Sequence, residues 1–354
     1  MQNIHFYQNH LDQVSRSFAF CIPQLPTPLR QWISLSYLLC RVLDTIEDST
    51  WENRATQKNQ YLKFCSFLSS PPQKAETLHW ATEFPSTTCL AERKLLADAY
   101  FLFQDLNELP QEARNLIQTS IQKMERGMQH YSYRSQESVL RLVDLTDVHR
   151  YCYFVAGVVG ELLSGLFLIY RPSFRPSSDF QLNGLHFGLF LQKINLLKDQ
   201  HSDELEKRFL VPDRKALLCS LRKNAQGALN YLLCLPQEES GYRIFCGWSL
   251  FLGVASLPWI SQAYDAPGEV KNIKIPRSVT QTLLESVQDI AHSNELLKKG
   301  FDELLPPFLH EKAPTLKPSP LNSRQSHQSN PEDWFSRLLE GTLGLTEMIQ
   351  LEMV

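Results

Sequence analysis

The 354-residue sequence contains no C-x-x-C pair, no surplus of either charge, and no uninterrupted apolar run of the roughly 18 residues that a membrane-spanning helix needs. Each absence removes a class of protein. A net charge of −3 provides no basic footprint for nucleic acid. The eight cysteines lie mostly inside apolar stretches such as 36–43 and 231–237, so reduced, buried thiols are expected ahead of disulfides or zinc. His149, His186 and His201 lack the spacing of a zinc site. Alternating strand patterns bounded by hairpin turns are missing, and no repeat of solenoid length recurs. The first residues carry neither the basic nor the apolar region of a signal peptide. The segment 249–260 comes nearest to a membrane span and is too short. The expectation is a soluble, cytoplasmic monomer with no transmembrane segment, compatible with peripheral contact at a membrane.

What the sequence does contain is helical periodicity. Apolar residues make up 43% and charged residues 21% of the chain, enough apolar material for one large core. Apolar positions recur at three and four residues over 31–48, 91–106, 111–131, 148–170, 187–208, 214–234 and 281–305. Turn chemistry separates these blocks at 22–28, 171–178 and 210–214. The pattern predicts an all-α, single-domain helical bundle with a central active-site cavity over residues 1–311. A Pro/Ser-rich linker is expected over 312–333 and a short terminal helix over 334–354.

Two helices carry acids where their surroundings are apolar. Asp44, Glu47 and Asp48 fall at i, i+3 and i+4 beside Leu38, Leu39, Val42 and Leu43, so one helix face holds all three. The stripe Tyr37, Arg41, Asp44, Asp48 runs along that helix. A second stripe, Gln192, Asn195, Asp199 and Asp203, runs about three turns along another helix, opposite Leu189, Ile194 and Leu197. Taken singly, either acidic group reads more readily as a solvated helix face. Taken together, both embedded in apolar helices and each flanked by basic residues, they favour a shared cavity. Carboxylates crowded into such a cavity stay ionised only beside positive charge. Magnesium, with manganese as its substitute, suits carboxylates that also share phosphate oxygens. Arg41, Lys198, Lys207 and Arg208 are placed to meet the remaining phosphate charge.

These segments resemble the head-to-head prenyl synthases, the squalene and phytoene synthase family, over roughly residues 12–305. Residues 15–20, Ser-Arg-Ser-Phe-Ala-Phe, are similar to the family's early segment, and 37–48 to its first aspartate motif. Residues 151–167 resemble its Tyr-Cys-x-x-Val-Ala-Gly segment, and 187–203 its second aspartate motif. The wording is closer to the family's squalene synthases. Arg208 and Pro212 fall in register with an Arg and a Pro of that branch. Residues 242–257 resemble its second-step pocket, with Phe245 and Cys246 matching and Arg243 and Trp248 departing. Residues 273–278 resemble a segment linked with the nicotinamide cofactor, with Lys274 and Arg277 kept and Pro276 in a usual Arg position; Ser202 departs from the second motif.

The resemblance implies a transferase that condenses two farnesyl diphosphates through presqualene diphosphate and reduces the product with NADPH to squalene. It implies metal binding by Asp44, Glu47, Asp48, Asp199 and Asp203. Substrate contacts would come from Ser15, Arg16, Ser17, Phe18, Arg41, Gln192, Asn195, Lys198 and Arg208. Chemistry would involve Tyr151, Arg41, Tyr37 and Phe245, and cofactor contacts Asn195, Lys274 and Arg277. Phe18, Tyr37, Phe154 and Phe245 would offer π faces to carbocations, although core packing is the ordinary role of such aromatics. A cap is the ordinary role of Ser15 and Ser17, and close packing that of Gly157 and Gly160. Alternatives within the fold stop at presqualene diphosphate or give hydroxysqualene, dehydrosqualene or phytoene; a non-catalytic relative is a further one.

Overall fold

Polar caps cut the apolar periodicity into helices. In the computed structural model residues 2–15, 17–134, 139–265 and 273–309 are described. Helix α1 (Ile4–Val14) starts where the Asn3 side chain accepts from the Phe6 amide. The short α2 (Phe18–Cys21) leads to α3 (Leu29–Asp48). Asn53 caps α4 (Arg54–Ser69), and the Glu76 side chain accepts from the Gln73 amide at the start of α5 (Lys74–Thr82). Next come α6 (Leu90–Ala97), α7 (Ala99–Glu108) and α8 (Gln111–Arg134). Helix α9 (Leu145–Cys152), capped by Asp144, passes through a π turn at Tyr153–Gly157 into α10 (Val158–Tyr170). The long α11 (Phe180–Leu205) is followed by α12 (Arg214–Cys234), capped by Asp213, and by α13 (Ser240–Asp265). Helices α14 (Arg277–Ile290) and α15 (Asn294–Leu304) complete the described fold.

The all-α expectation holds, with three local corrections. The block 91–106 is two helices, broken at Asp98, whose carboxylate lies 3.1 Å from the buried His10 imidazole. The block 281–305 also breaks, because the Ser293 side chain accepts from the Leu296 amide and starts a new helix. Strands β1 (Leu140–Arg141) and β2 (Arg208–Phe209) pair in parallel, Leu140 opposite Arg208. Periodicity could not reveal so short a pair. The expected linker 312–333 and helix 334–354 lie outside the described residues.

The core lies where α3, α8, α10 and α11 meet. Glycines set the approach of α10 to α11. A Cβ on Gly160 would strike the Gly184 carbonyl, and one on Gly188 would strike the carbonyl of Ala156 in the π turn. Close backbone approach of this kind excludes any side chain.

Two helical stretches, Leu145–Tyr170 and Ser240–Ala263, reach mean hydropathies of 2.0 and 1.5 and are long and apolar enough to cross a membrane by length and composition. The first escaped sequence inspection because His149, Arg150 and Glu161 interrupt its run. In the fold 61% and 72% of these windows are buried inside the protein, as core helices are.

Candidate active site

A cavity of about 400 Å³ opens between α3, α8, the π turn, α10 and α11, within the ~300–1,000 Å³ usual for small-molecule sites. Its wall divides by chemistry. Ile22, Ile33, Met124, Leu163 and Leu166 make one region apolar. Asp44, Glu47, Asp48, Asp199 and Asp203 make another acidic, and Arg208 joins them.

Helix polarity sharpens the acidic region. The first three acids occupy the last two turns of α3, and Asp199 and Asp203 the last two of α11. Helix C-termini are the negative poles of the macrodipole, and neither last turn carries a basic residue. The free carbonyls of α3 are met from behind. Trp51 Nε1 donates to the Ile46 carbonyl at 2.8 Å, and Gln57 Nε2 donates to those of Ile46 and Glu47 at 3.0 and 3.2 Å. These donors go to the backbone and not to the carboxylates.

Burial pushes the Asp44 carboxyl up to about 7 against the pull of Arg41, and neighbouring Asp48 and Glu92 push it the same way as burial. Burial likewise raises Glu47 to about 8 and Asp203 to about 6, while Arg208 draws both down. Asp203 on α11 raises Glu47 on α3, and Asp48 on α3 raises Asp203, so the two banks share one electrostatic environment.

Arg208 is the cation between them. Its Nη1 donates to Asp48 Oδ1 at 2.6 Å and its Nη2 to the Tyr151 hydroxyl oxygen at 2.9 Å. Tyr151 is buried, which holds its phenol protonated. The β1–β2 pairing sets Arg208, because Leu140 pairs opposite it.

The donor set fits a hard divalent cation. All five side chains present carboxylate oxygens, burial disfavours the charged forms of Asp44, Glu47 and Asp203, and only two guanidiniums, Arg41 and Arg208, line the cavity with them. Among the described residues no three His, Cys, Asp or Glu side chains converge into a complete metal site. A cation here would need ligands beyond these side chains, such as waters or phosphate oxygens.

Three of the four aromatics border the cavity. Phe18 lies 5.4 Å from Tyr37 and 6.3 Å from Phe245 between ring centroids, and all three line the cavity. Phe154 is wholly buried away from it, against Gly127, and is core.

Gln192 and Asn195 line the cavity with Asp199 and Asp203, as their stripe predicts. Lys198 does not. It precedes Asp199 by one residue, about 100° around the helix, and so falls off the stripe that lines the cavity. Lys207 is exposed in a turn at φ 62°. Lys274, just before α14, and Arg277, its first residue, are exposed, and neither lines the cavity. Helix α14 packs on α13 away from it, where Trp248 Nε1 donates to the Leu284 carbonyl at 2.8 Å. Arg243 is also turned away. Fully buried, it donates to the carbonyls of Ala291, Leu232 and Leu235 and to the Asn294 side chain. The residue expected in a pocket is a clamp on helix ends.

Ser15 is half-buried beside the Tyr37 phenol, outside the cavity wall. Ser17 is exposed and its side chain makes no cap on α2. Arg16 lies outside the described residues. One neighbour of the site escaped sequence reading. Glu92 on α6 pairs with Arg41 across 51 residues of chain, a separation at which no spacing rule operates.

The fold and this cavity define a class: an all-α protein enclosing an apolar, aromatic-edged cavity beneath an acidic rim. The squalene/phytoene synthase family model matches residues 11–218, more than half of the chain. The squalene synthase of Schizosaccharomyces pombe is 30% identical over 321 residues, covering 83% of this chain and 66% of that protein. That of Cyberlindnera jadinii is 26% identical over 303 residues, covering 77% and 65%. The chain thus spans just under two thirds of the length of either relative. A solved structure of TcSQS in complex with a ligand shares the fold, with TM-score 0.68 at 21% identity over 98% of this chain and 99% of that one. The chain belongs to the squalene/phytoene synthase family.

Proposed function

We propose that the chain is a squalene synthase, joining two farnesyl diphosphates head to head through presqualene diphosphate and then reducing the product to squalene. One observation carries the reading: two carboxylate banks and Arg208 border the same cavity whose other walls are apolar and aromatic. Asp44, Glu47, Asp48, Asp199 and Asp203 would hold magnesium, which when bound neutralises the diphosphate's charge and eases its departure. Arg41 and Arg208 bind diphosphate oxygens. When the donor's carbon–oxygen bond breaks, its electrons leave with the diphosphate. The acceptor's double bond supplies the pair for the new carbon–carbon bond, and loss of one proton closes the cyclopropane. Tyr151, held protonated by burial and oriented by Arg208, donates a hydrogen bond to the departing diphosphate. Phe18, Tyr37 and Phe245 face the cation with π electrons and exclude water. In the second half the remaining diphosphate would leave with its bonding pair, and a hydride from NADPH would quench the rearranged cation. We place this chemistry in a cytoplasmic monomer that meets its lipid product at a membrane surface.

A second reading is favoured by one observation: Lys274 and Arg277, expected at the nicotinamide cofactor, are exposed and line no part of the cavity. On that reading the chain stops at presqualene diphosphate or quenches the second cation without reduction. Purified protein incubated with farnesyl diphosphate and magnesium, with and without NADPH, decides by product. Squalene formed only with NADPH supports the first reading, and presqualene diphosphate or hydroxysqualene under both conditions the second. Unconsumed farnesyl diphosphate overturns both.

A further inference from the structure

Arg41 is held from outside the cavity. It projects from α3 between two carboxylates: Asp44, with Oδ2 3.8 Å from its Nη1, and Glu92, with which its Nη2 forms a short ion pair. Glu92 does not line the cavity. It stands in the first turn of α6, whose positive pole favours a carboxylate, and its side chain is 14% exposed. At 3.8 Å Asp44 receives Arg41's charge without a hydrogen bond. The Arg41 Nε is buried and has no hydrogen-bond partner among the described residues, so the guanidinium keeps unused donor capacity.

Two acids therefore compete for one fork, and the acid outside the cavity holds it. A guanidinium released from Glu92 has Asp44 as its nearest acid. A bidentate pair with Asp44 would cover both carboxylate oxygens that a cation needs and use the donors that a diphosphate needs. We propose that Glu92 is a positioning residue that draws Arg41 off Asp44, leaving the Asp44 carboxylate open to a divalent cation and the Arg41 guanidinium open to a diphosphate. The identity of that ligand rests on the function proposed above; the competition for Arg41 rests on the ion-pair geometry.

The test measures binding of inorganic diphosphate in magnesium by calorimetry, using the full chain and Glu92→Gln, Glu92→Asp, Arg41→Gln and the Glu92→Gln/Arg41→Gln double variant. Coupled charged residues exchange effects of this order, so Glu92→Gln is expected to bind about tenfold more weakly and Glu92→Asp about threefold. The double variant should bind no more weakly than Arg41→Gln alone, because Glu92 acts only through Arg41. Thermal melts accompany each variant. Parent-level binding by Glu92→Gln, or losses that multiply in the double variant, overturns the assignment. If Glu92→Gln melts well below the parent, the charge-conserving Glu92→Asp decides: intermediate binding supports the role and parent-level binding overturns it. A parent chain that binds no magnesium diphosphate overturns the proposed function and this role together. Binding by the parent with an unaffected Glu92→Gln overturns the role alone.

Discussion

Arg208 donates to Tyr151 across 2.9 Å while its other terminal nitrogen holds Asp48 at 2.6 Å. One planar fork thus ties the strand at Arg208–Phe209 to α9 and to the last residue of α3. A lysine keeps the charge but lacks the fork. Arg208→Lys is expected to lower turnover of farnesyl diphosphate about tenfold or more, with Tyr151 no longer oriented. Steady-state kinetics beside a thermal melt checks this; unchanged turnover would show that the fork is dispensable.

Asp199 lines the cavity from α11, opposite the bank on α3. Asp199→Asn preserves size and removes one negative oxygen donor. Turnover should fall by roughly 100-fold, several kcal/mol of lost charge stabilisation being the usual scale of a metal's contribution. The melting temperature without metal should not fall, since the change relieves repulsion with Asp203. Product assays at saturating magnesium measure the first effect and calorimetric melts the second.

Burial raises Asp44 to about 7, Glu47 to about 8 and Asp203 to about 6. Unfolded carboxyls titrate near 4, so between about pH 4 and 8 the folded chain binds more protons than the unfolded one. Stability from these groups is therefore lost as pH rises through that window, the sign opposite to that of a salt-bridged aspartate. Melting without divalent metal should fall from pH 6 to pH 8, and magnesium should restore more of it at pH 8 than at pH 6. A melting temperature that rises over this range without metal would contradict the assignment.

Arg243 joins the C-terminal carbonyls of α12 to Ala291 and Asn294. Removing it leaves buried acceptors unpaired. Arg243→Met is expected to destabilise the fold by about 3 kcal/mol, read from urea unfolding. Magnesium diphosphate binding by the folded fraction should match the parent, because Arg243 lies away from the cavity. Weakened binding in that fraction would return Arg243 to the site.

Helical periodicity alone placed the acidic stripes of Asp44 and Asp48 and of Asp199 and Asp203, because residues three and four apart must share a helix face whatever surrounds them. It also placed Gln192 and Asn195 on the second stripe. That the two stripes border one cavity was decided by packing, in which Gly160 and Gly188 let α10 and the π turn close on α11. The contact between Glu92 and Arg41 and the clamp made by Arg243 join residues 51, 48 and 51 positions apart in the chain. Spacing carries no information at such distances, so only the folded chain could pair them. The same limit explains Lys274 and Arg277. Their sequence resembles a cofactor segment, but where a basic side chain points depends on what its segment packs against, and here Lys274, just before α14, and Arg277, its first residue, are both exposed.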